Sequence, residues 1–256
     1  MNKVALITGA TSGIGDATAN LLAEMHYDII ITGRRAERLE SLKAKLEKGT
    51  SRVLSLCFDV RNENEVKNVF RELPESWRKI DVLINNAGLA AGLEPIDCGN
   101  SNDWNRMIDT NVKGLLYISY EVAQIMKNNN NMGGHIVNIG SIAGKEVYPN
   151  GNVYCATKHA VDALSKGMRM DLLKHNIKVT QICPGAVETE FSLVRFHNDS
   201  ERAKTVYEGF EALVAKDIAD CIWFAISRPK HVNINDMIVM PTAQASSSVI
   251  LKKGET

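Results

Sequence analysis

The stretch from Val4 to Gly15 reads VALITGATSGIG and decides the fold. It joins a short apolar run, typical of a buried strand, to a loop in which Gly9, Gly13 and Gly15 precede a helical pattern. Glycines in such a turn allow a ligand to approach the backbone closely, and the following helix N-terminus attracts a pyrophosphate. The spacing is T-G-x-x-x-G-x-G rather than G-x-G-x-x-G, so a plain glycine turn is the alternative. Its position at the first strand-to-helix crossover favours a phosphate-binding loop.

Six further apolar runs follow at intervals, reading DIIIT, RVLSLCF, DVLIN, HIVNIG, KVTQIC and DMIVM. Amphipathic patterns lie between them, such as RAERLESLKAKLEK and NVKGLLYISYEVAQIMKN. Near-continuous apolar strands that alternate with helices are typical of parallel sheets covered on both faces. The sequence therefore predicts an α/β fold, a Rossmann-like doubly wound parallel sheet of about seven strands with helices on both faces.

The chain contains no Pro/Gly/Ser-rich linker, and residues 1–256 are predicted to form a single domain. The run NNNNMGG, from Asn128 to Gly134, is interpreted as a helix end and a turn. Residues 185–214 show no strand pattern and are predicted to cover the ends of the strands above a substrate.

The composition is that of an ordinary globular protein, with 45% hydrophobic and 23% charged residues. Thirty basic and thirty acidic residues give a formal net charge of zero, so the charge balance indicates neither a nucleic acid nor a membrane surface as a partner. Five scattered cysteines argue against a disulfide framework or a zinc site and suit a reducing compartment. No metal site is expected, and the protein is predicted to be cytoplasmic.

The segment IITGRR, at the end of the second predicted strand, carries Gly33, Arg34 and Arg35. In NAD-binding folds an acidic residue in this region holds the ribose 2′-hydroxyl. Here two guanidinium groups would meet a 2′-phosphate instead, with no carboxylate to repel it. A solvated helix start is the alternative, but cations are disfavoured at helix N-termini. The pattern favours NADP over NAD as the cofactor.

The segment NVYCATKHAV, from Asn152 to Val161, places Tyr154 and Lys158 four residues apart. On a helix such residues lie about 5–6 Å apart between Cβ atoms, so the lysine charge reaches the phenol. This cation, together with the positive charge of an oxidised nicotinamide, is expected to lower the pKa of Tyr154 from the ordinary tyrosine value of about 10, which suits acid–base chemistry. A core tyrosine with a snorkelling lysine is the alternative. Ser141 follows the strand HIVNIG, where its hydroxyl can hold a substrate oxygen, or serve only as a turn residue.

Over nearly its full length, the chain resembles the short-chain dehydrogenases/reductases. The motifs that carry the resemblance are TGATSGIG, DV, NNAG, DTNVKG, NIGSIAG, the Tyr154/Lys158 pair and PGAVET, all in the family's order. The resemblance implies a catalytic set made of Asn111, Ser141, Tyr154 and Lys158. It further implies that Lys158 bonds the nicotinamide ribose and that Asn111 keeps a proton-relaying water beside it.

The resemblance also implies the residues that contact NADP. They are Gly9, Ala10, Thr11, Ser12, Gly13, Ile14, Gly15, Arg34, Arg35, Asp59, Val60, Asn86, Ala87, Gly88, Tyr154, Lys158, Pro184, Gly185, Val187 and Thr189. The expected substrate contacts are Ser141, Tyr154 and Arg195. Family likeness suggests a homotetramer.

A narrower likeness concerns the stretches NNAGLAAGLEP, GNVYCATK, TEFSLVRF and HVNINDMIVMPT. They resemble the NADP-dependent 3-hydroxy acid dehydrogenases, a group that includes serine 3-dehydrogenase and L-allo-threonine dehydrogenase. The implied substrate is a small 3-hydroxy acid or 3-hydroxy amino acid. A reductase of 3-oxoacyl or other carbonyl compounds is the alternative within the enzyme class, and a non-catalytic dinucleotide-sensing protein is the alternative outside it.

A substrate carboxylate needs a positively charged partner, since burying it unpaired is costly. Arg195 is the only arginine between Gly185 and Asp199, in the predicted cover, and is therefore the first candidate. A surface arginine is the alternative interpretation, in which case Lys145, after SIAG, becomes the candidate.

Overall fold

The computed structural model describes residues 2–128 and 133–254. Within these residues the strands, in chain order, are β1 (Val4–Ile7), β2 (Asp28–Gly33), β3 (Val53–Cys57), β4 (Val82–Asn85), β5 (Gly134–Ile139), β6 (Ile177–Pro184), β7 (Val187–Glu188), β8 (Leu213–Val214) and β9 (Asp236–Val239). The α-helices are α1 (Gly13–Glu24), α2 (Ala36–Leu46), α3 (Glu63–Arg71), α4 (Ser101–Ile108), α5 (Leu115–Asn128), α6 (Asn152–Asp171), α7 (Phe191–Arg195), α8 (Ser200–Thr205) and α9 (Ala215–Ile226).

The main sheet has seven parallel strands in the order β3-β2-β1-β4-β5-β6-β9. Every apolar run that the sequence marked as a strand lies in this sheet, so the predicted doubly wound α/β fold is confirmed. The chain runs outward from β1 to β3 and then returns to place β4 on the other side of β1. Ligands of such sheets bind outside the carboxyl ends of the strands, at this reversal of strand order.

Apolar side chains pack on both faces of the sheet, as expected for buried parallel strands. On one face Ile29 and Ile31 of β2 pack in a cluster with Leu22 of α1 and Ile222 of α9. On the other face Ile30 packs in a separate cluster with residues of α3 and α5. Consecutive strand residues point to opposite faces, so the continuous apolar run of β2 fills both layers.

A π-helical turn, Asp109–Gly114, lies between α4 and α5 where the sequence predicted the start of one helix. Gly114 allows this turn to approach the chain after β3, because a Cβ there would lie 2.8 Å from Val60 Cγ2. Such turns widen a helix locally and occur frequently at functional sites. This one carries Asn111.

The predicted cover contains regular structure that its sequence did not indicate. β7 and β8 pair in parallel, with Val187 opposite Leu213, and α7 and α8 lie between them. The expectation of a cover without strands was therefore wrong. It failed because two-residue strands are too short to show an alternating pattern in the sequence.

The run NNNNMGG lies partly outside the described residues. α5 ends at Asn128 and Gly133 has a φ of 75°, as expected for a helix end and turn, whereas residues 129–132 lie outside the described residues. Across the described residues, the helices lack the combined length and apolar character needed to cross a membrane.

Candidate active site

The glycine loop after β1 leaves a cradle free of side chains. Gly9 and Gly13 adopt φ values of 65° and 56°, in the left-handed region that favours glycine. A Cβ at Gly15 would lie 2.5 Å from Asn86 Nδ2. Ser12 precedes α1 with extended backbone and does not cap the helix with its side chain. The loop can therefore bring backbone N–H groups of the α1 N-terminus against a phosphate.

A cavity of about 460 Å³ opens at the carboxyl ends of the strands, beside this loop. Most of the expected cofactor contacts lie on its wall. They are Gly9, Thr11, Ser12, Gly13, Ile14, Arg34, Arg35, Asp59, Val60, Asn86, Ala87, Gly88, Tyr154, Lys158, Pro184, Gly185, Val187 and Thr189. The expected substrate contacts Ser141, Tyr154 and Arg195 lie on the same wall.

Three expected site residues lie behind the wall and support it. Ala10 is fully buried in the apolar cluster that contains Leu22. Gly15 packs against Asn86 and the Gly9 carbonyl, and Asn111 lies in the π-helical turn. In the structure these three residues pack behind the wall or position other residues. A motif match does not distinguish such a role from direct contact with a ligand.

The cationic corner of the cavity is built from Arg34 and Arg35 at the end of β2. Arg35 donates to Thr11 Oγ1 from Nε and Nη2, at 3.1 and 2.8 Å, and to Ser12 Oγ from Nη2, at 2.9 Å. Arg34 Nη1 lies 3.7 Å from Asp59 Oδ2. A Cβ at Gly33 would lie 2.8 Å from Thr11 Cγ2, so an acidic side chain does not fit there without a shift of Thr11. The expectation that no carboxylate lies beside these guanidinium groups was wrong, because Asp59 pairs with Arg34 and Glu190, from the distant cover, lies 3.0 Å from Arg35 Nη1. The two guanidinium groups still line the cavity, where an anionic group can reach them.

Tyr154 and Lys158 lie in the first two turns of α6, and both are buried on the cavity wall. Lys158 Nζ donates to the Ile139 carbonyl at 2.9 Å and lies 5.9 Å from the centre of the Tyr154 ring. The helical spacing therefore brings the two groups together as predicted.

Burial has the largest effect on the pKa values of Lys158 and Tyr154. It lowers the pKa of Lys158 to about 8, because the ammonium loses hydration. Burial likewise raises the pKa of Tyr154, with a further upward contribution from Tyr148, while Arg195 and Ser141 act in the opposite direction. We expected Lys158, together with the charge of an oxidised nicotinamide, to lower the pKa of Tyr154. Among the protein's own groups, desolvation of the phenolate outweighs Arg195 and Ser141 and raises this pKa, so the lowering depends on the bound cofactor.

Ser141 stands at the carboxyl edge of the sheet, just after β5. Its hydroxyl accepts a hydrogen bond from the Ala143 amide at 3.1 Å and lies 3.5 Å from the Pro184 carbonyl. The hydroxyl caps a short turn and still lines the cavity with Tyr154. The position agrees with the expected role of holding an oxygen next to the phenol.

Asn111 connects the chain after β4 with α6. Its Oδ1 accepts from the Leu89 amide and its Nδ2 donates to the Leu89 carbonyl, both at 2.8 Å. Nδ2 also donates to Thr157 Oγ1 at 3.0 Å, one residue before Lys158. Its side chain therefore acts as a positioning group for the helix that carries the lysine.

Arg195 ends α7 and reaches into the cavity from the cover. Its Nη2 donates to the Tyr148 hydroxyl at 2.6 Å, and its guanidinium carbon lies 5.1 Å from the centre of the Tyr154 ring. Among the described residues its buried Nε has no hydrogen-bond partner. Lys145, the other candidate, forms ion pairs with Asp162 and Asp236 and does not line the cavity.

Several wall residues escaped sequence reasoning because they come from distant segments without a recognisable pattern. They are Tyr148, Glu190, Phe191, Tyr207, Gln244, Ser247 and Ile250. Gln244 illustrates the difficulty: its Oε1 accepts from the Ala186 amide at 2.8 Å, which ties the C-terminal segment to the loop after β6. Only the fold brings these positions together.

Residues 3–199 match the short chain dehydrogenase family. The chain belongs to this family. The NADP-dependent 3-hydroxy acid dehydrogenase YdfG of Salmonella typhi is 46% identical over 243 residues, covering 94% of this chain and 96% of the relative. Sulfoacetaldehyde reductase 2 of Chromohalobacter salexigens is 42% identical over 248 residues, covering 97% and 98%.

Solved structures of short chain dehydrogenases show the same architecture. The closed form of serine dehydrogenase complexed with NADP⁺ aligns with a TM-score of 0.91 at 41% identity, covering 98% of this chain and 99% of that one. The family resemblance and the fold expected from the sequence are therefore confirmed.

The buried ammonium of Lys158 generates a prediction about stability. The folded protein releases this proton near pH 8, whereas the unfolded chain keeps it to about pH 10.5, so stability rises with pH in that window. Relative to Lys158→Met, wild type should gain about 2 kcal/mol of unfolding free energy between about pH 7 and 9.5.

Denaturant unfolding at a series of pH values measures this difference. Lys166→Met, which removes an exposed lysine of the same helix, is the control. A difference between wild type and Lys158→Met that stays constant with pH would show that the ammonium is not desolvated.

Proposed function

We propose that the protein is an NADP-dependent oxidoreductase that transfers a hydride between the nicotinamide and the hydroxyl-bearing carbon of a small 3-hydroxy acid or 3-hydroxy amino acid. The observation that carries this proposal is the convergence of Tyr154, Ser141, Lys158 and Arg195 on one cavity beside the glycine cradle. The relatives named NADP-dependent 3-hydroxy acid dehydrogenase and serine dehydrogenase support it.

The cofactor end of the cavity fits NADP. The glycine loop offers the N-terminus of α1 to a pyrophosphate, and Arg34 and Arg35 offer guanidinium groups to a 2′-phosphate. When bound, the cofactor supplies or accepts the hydride, and its oxidised ring carries a positive charge. By family resemblance, Lys158 would donate to the nicotinamide ribose hydroxyls from the cavity wall.

Tyr154 is the acid–base group in this proposal. Because burial raises its pKa, the phenol is protonated at neutral pH and can donate its proton to a carbonyl oxygen during reduction. Ser141 holds the same oxygen and stabilises its developing negative charge. In the oxidative direction the phenol must lose its proton, and the charge of Lys158 assists that loss.

The acidic end of the substrate is assigned to Arg195. The guanidinium lies beside Tyr154, and its Nε has no hydrogen-bond partner among the described residues. An acidic group of the substrate would pair with this half-buried guanidinium where it lines the cavity. Sulfoacetaldehyde, named in one relative, is also a short carbonyl compound with an acidic group, which favours short acidic carbonyl compounds as the second candidate class.

A cytoplasmic homotetramer is part of the same proposal and rests on the family resemblance. Leu116 and Tyr120 expose 38% and 60% of their surface on one side of α5, which supports an interface there. A purely dinucleotide-sensing protein is disfavoured, because it would not need the complete set of Asn111, Ser141, Tyr154 and Lys158.

Tyr154→Phe removes the proton donor and keeps the ring. Turnover should fall by about 10²–10⁴-fold, whereas the Kd for NADPH should stay near the wild-type value. Steady-state turnover and fluorescence titration with NADPH measure the two quantities, and Tyr117→Phe, in α5 and off the cavity wall, is the control. Near-normal turnover in the folded variant would remove Tyr154 from the mechanism.

Replacing both Arg34 and Arg35 with alanine tests the choice of cofactor. The KM for NADPH should rise by about tenfold or more, and the KM for NADH far less, because only NADPH carries the 2′-phosphate. Arg228→Ala, outside the cavity wall, is the control. Equal increases for the two cofactors would mean that the arginines do not bind the phosphate.

Arg195→Met keeps the length of the side chain and removes its charge. Loss of a charge-assisted hydrogen bond costs about 1.5–3 kcal/mol, so kcat/KM for a 3-hydroxy acid should fall by about one to two decades. An uncharged alcohol of similar size should be barely affected, and Arg202→Met elsewhere on the cover should change neither rate. Equal losses on both substrates would show that Arg195 only shapes the cover.

A further inference from the structure

Glu190 lies on the cover, between β7 and α7, and its carboxylate meets two arginines from the start of α2. Oε1 accepts from Arg38 Nη1 at 2.7 Å, and Oε2 accepts from Arg35 Nη1 at 3.0 Å. More than 150 residues separate the partners along the chain. Glu190 and Arg35 both line the cavity, so the ion pairs join the cover to its cationic corner.

Each nitrogen of the Arg35 guanidinium already donates a hydrogen bond. Nε and Nη2 donate to Thr11 and Ser12 in the glycine loop, and Nη1 donates to Glu190. A guanidinium has five N–H donors in a fixed fork, so a further anion that binds it bidentately must replace one of these acceptors. Thr11 and Ser12 accept through neutral hydroxyls, whereas Glu190 accepts through a carboxylate.

Glu190 is charged in this arrangement. Burial acts to raise the pKa of its carboxyl, but hydrogen bonds from Arg38 and Arg35 outweigh it and hold the pKa below its ordinary value. Among the described residues Glu190 is the one carboxylate that pairs with either arginine. Arg38 lies one turn after Arg34 and Arg35 and does not itself line the cavity, so Glu190 is its link to the corner.

We propose that Glu190 competes with the 2′-phosphate of the cofactor for Arg35, and thereby couples cofactor binding to the position of the cover. This inference rests on the proposed NADP dependence. Carboxylate and phosphate bind guanidinium groups through the same bidentate geometry, and two anions on one guanidinium repel each other. The 2′-hydroxyl of NAD(H) is uncharged, so it leaves the Glu190 ion pairs intact.

The test is equilibrium binding of NADPH and of NADH to the full-length protein. Isothermal titration calorimetry at constant ionic strength measures both Kd values. Glu190→Gln should lower the Kd for NADPH about three- to tenfold, the range expected for release from a half-exposed ion pair. The Kd for NADH should change by less than about twofold. Glu188→Gln removes the same charge two residues away, from a side chain off the cavity wall, and should change both constants by less than about twofold.

A second measurement addresses the cover directly. Amide hydrogen exchange of Phe191–Arg195 is compared in the presence of 2′,5′-ADP and of 5′-AMP, which differ in the 2′-phosphate. In wild type only 2′,5′-ADP should increase exchange, because its 2′-phosphate displaces Glu190 from Arg35 and removes one of the two ion pairs that hold the cover. In Glu190→Gln exchange should already be high without ligand.

The outcomes separate this inference from the proposed function. Weaker NADPH binding by Glu190→Gln would mean that Glu190 holds the arginines in place for the phosphate, which overturns the competition. An equal gain for NADPH and NADH overturns it as well. Wild type without a preference for NADPH over NADH, or for 2′,5′-ADP over 5′-AMP, overturns the NADP assignment and the inference together.

Discussion

The glycine turn after β1 and the segment after β4 pass each other in close contact, and the site depends on that contact. Asn86 Nδ2 donates to the carbonyls of Thr8 and Gly9 at 2.9 and 3.1 Å, and the Asn86 amide donates to Thr8 Oγ1 at 3.0 Å. A side chain at Gly15 would separate the two segments. Because β1 and β4 flank the reversal of strand order, this contact shapes the crevice into which a dinucleotide can enter.

The reactive groups are held by elements that pack tightly on this frame. Ser141 follows β5 directly, and Tyr154 and Lys158 lie in one helix whose start is tied to the π-helical turn through Asn111 and Thr157. The amine of Lys158 is further fixed by the Ile139 carbonyl. Rigid elements position reacting groups more accurately than loops do, which matters for proton and hydride transfer over short distances.

Two basic side chains lie near the Tyr154 ring. Lys158 comes from the helix on the sheet, and Arg195 comes from the cover. Burial disfavours the charged forms of Lys158 and Tyr154, and in our proposal the phosphate-bearing cofactor and the acidic substrate occupy the two ends of the same cavity. In our proposal the sheet and its helices hold the groups that transfer the proton, while Arg195 of the cover binds the acidic end of the substrate.

The sequence alone determined what depends on local spacing. Continuous apolar runs marked the seven strands, the glycine loop marked the crossover, and the interval from Tyr154 to Lys158 placed both groups on one helix face. Tertiary structure alone decided the pairing of β7 with β8, the placement of Tyr148 and Gln244 on the cavity wall, and the meeting of Glu190 with Arg35 and Arg38. It also decided that the pKa of Tyr154 is raised. Burial and ion pairing depend on residues that are distant in the chain, and local spacing does not encode which of them meet.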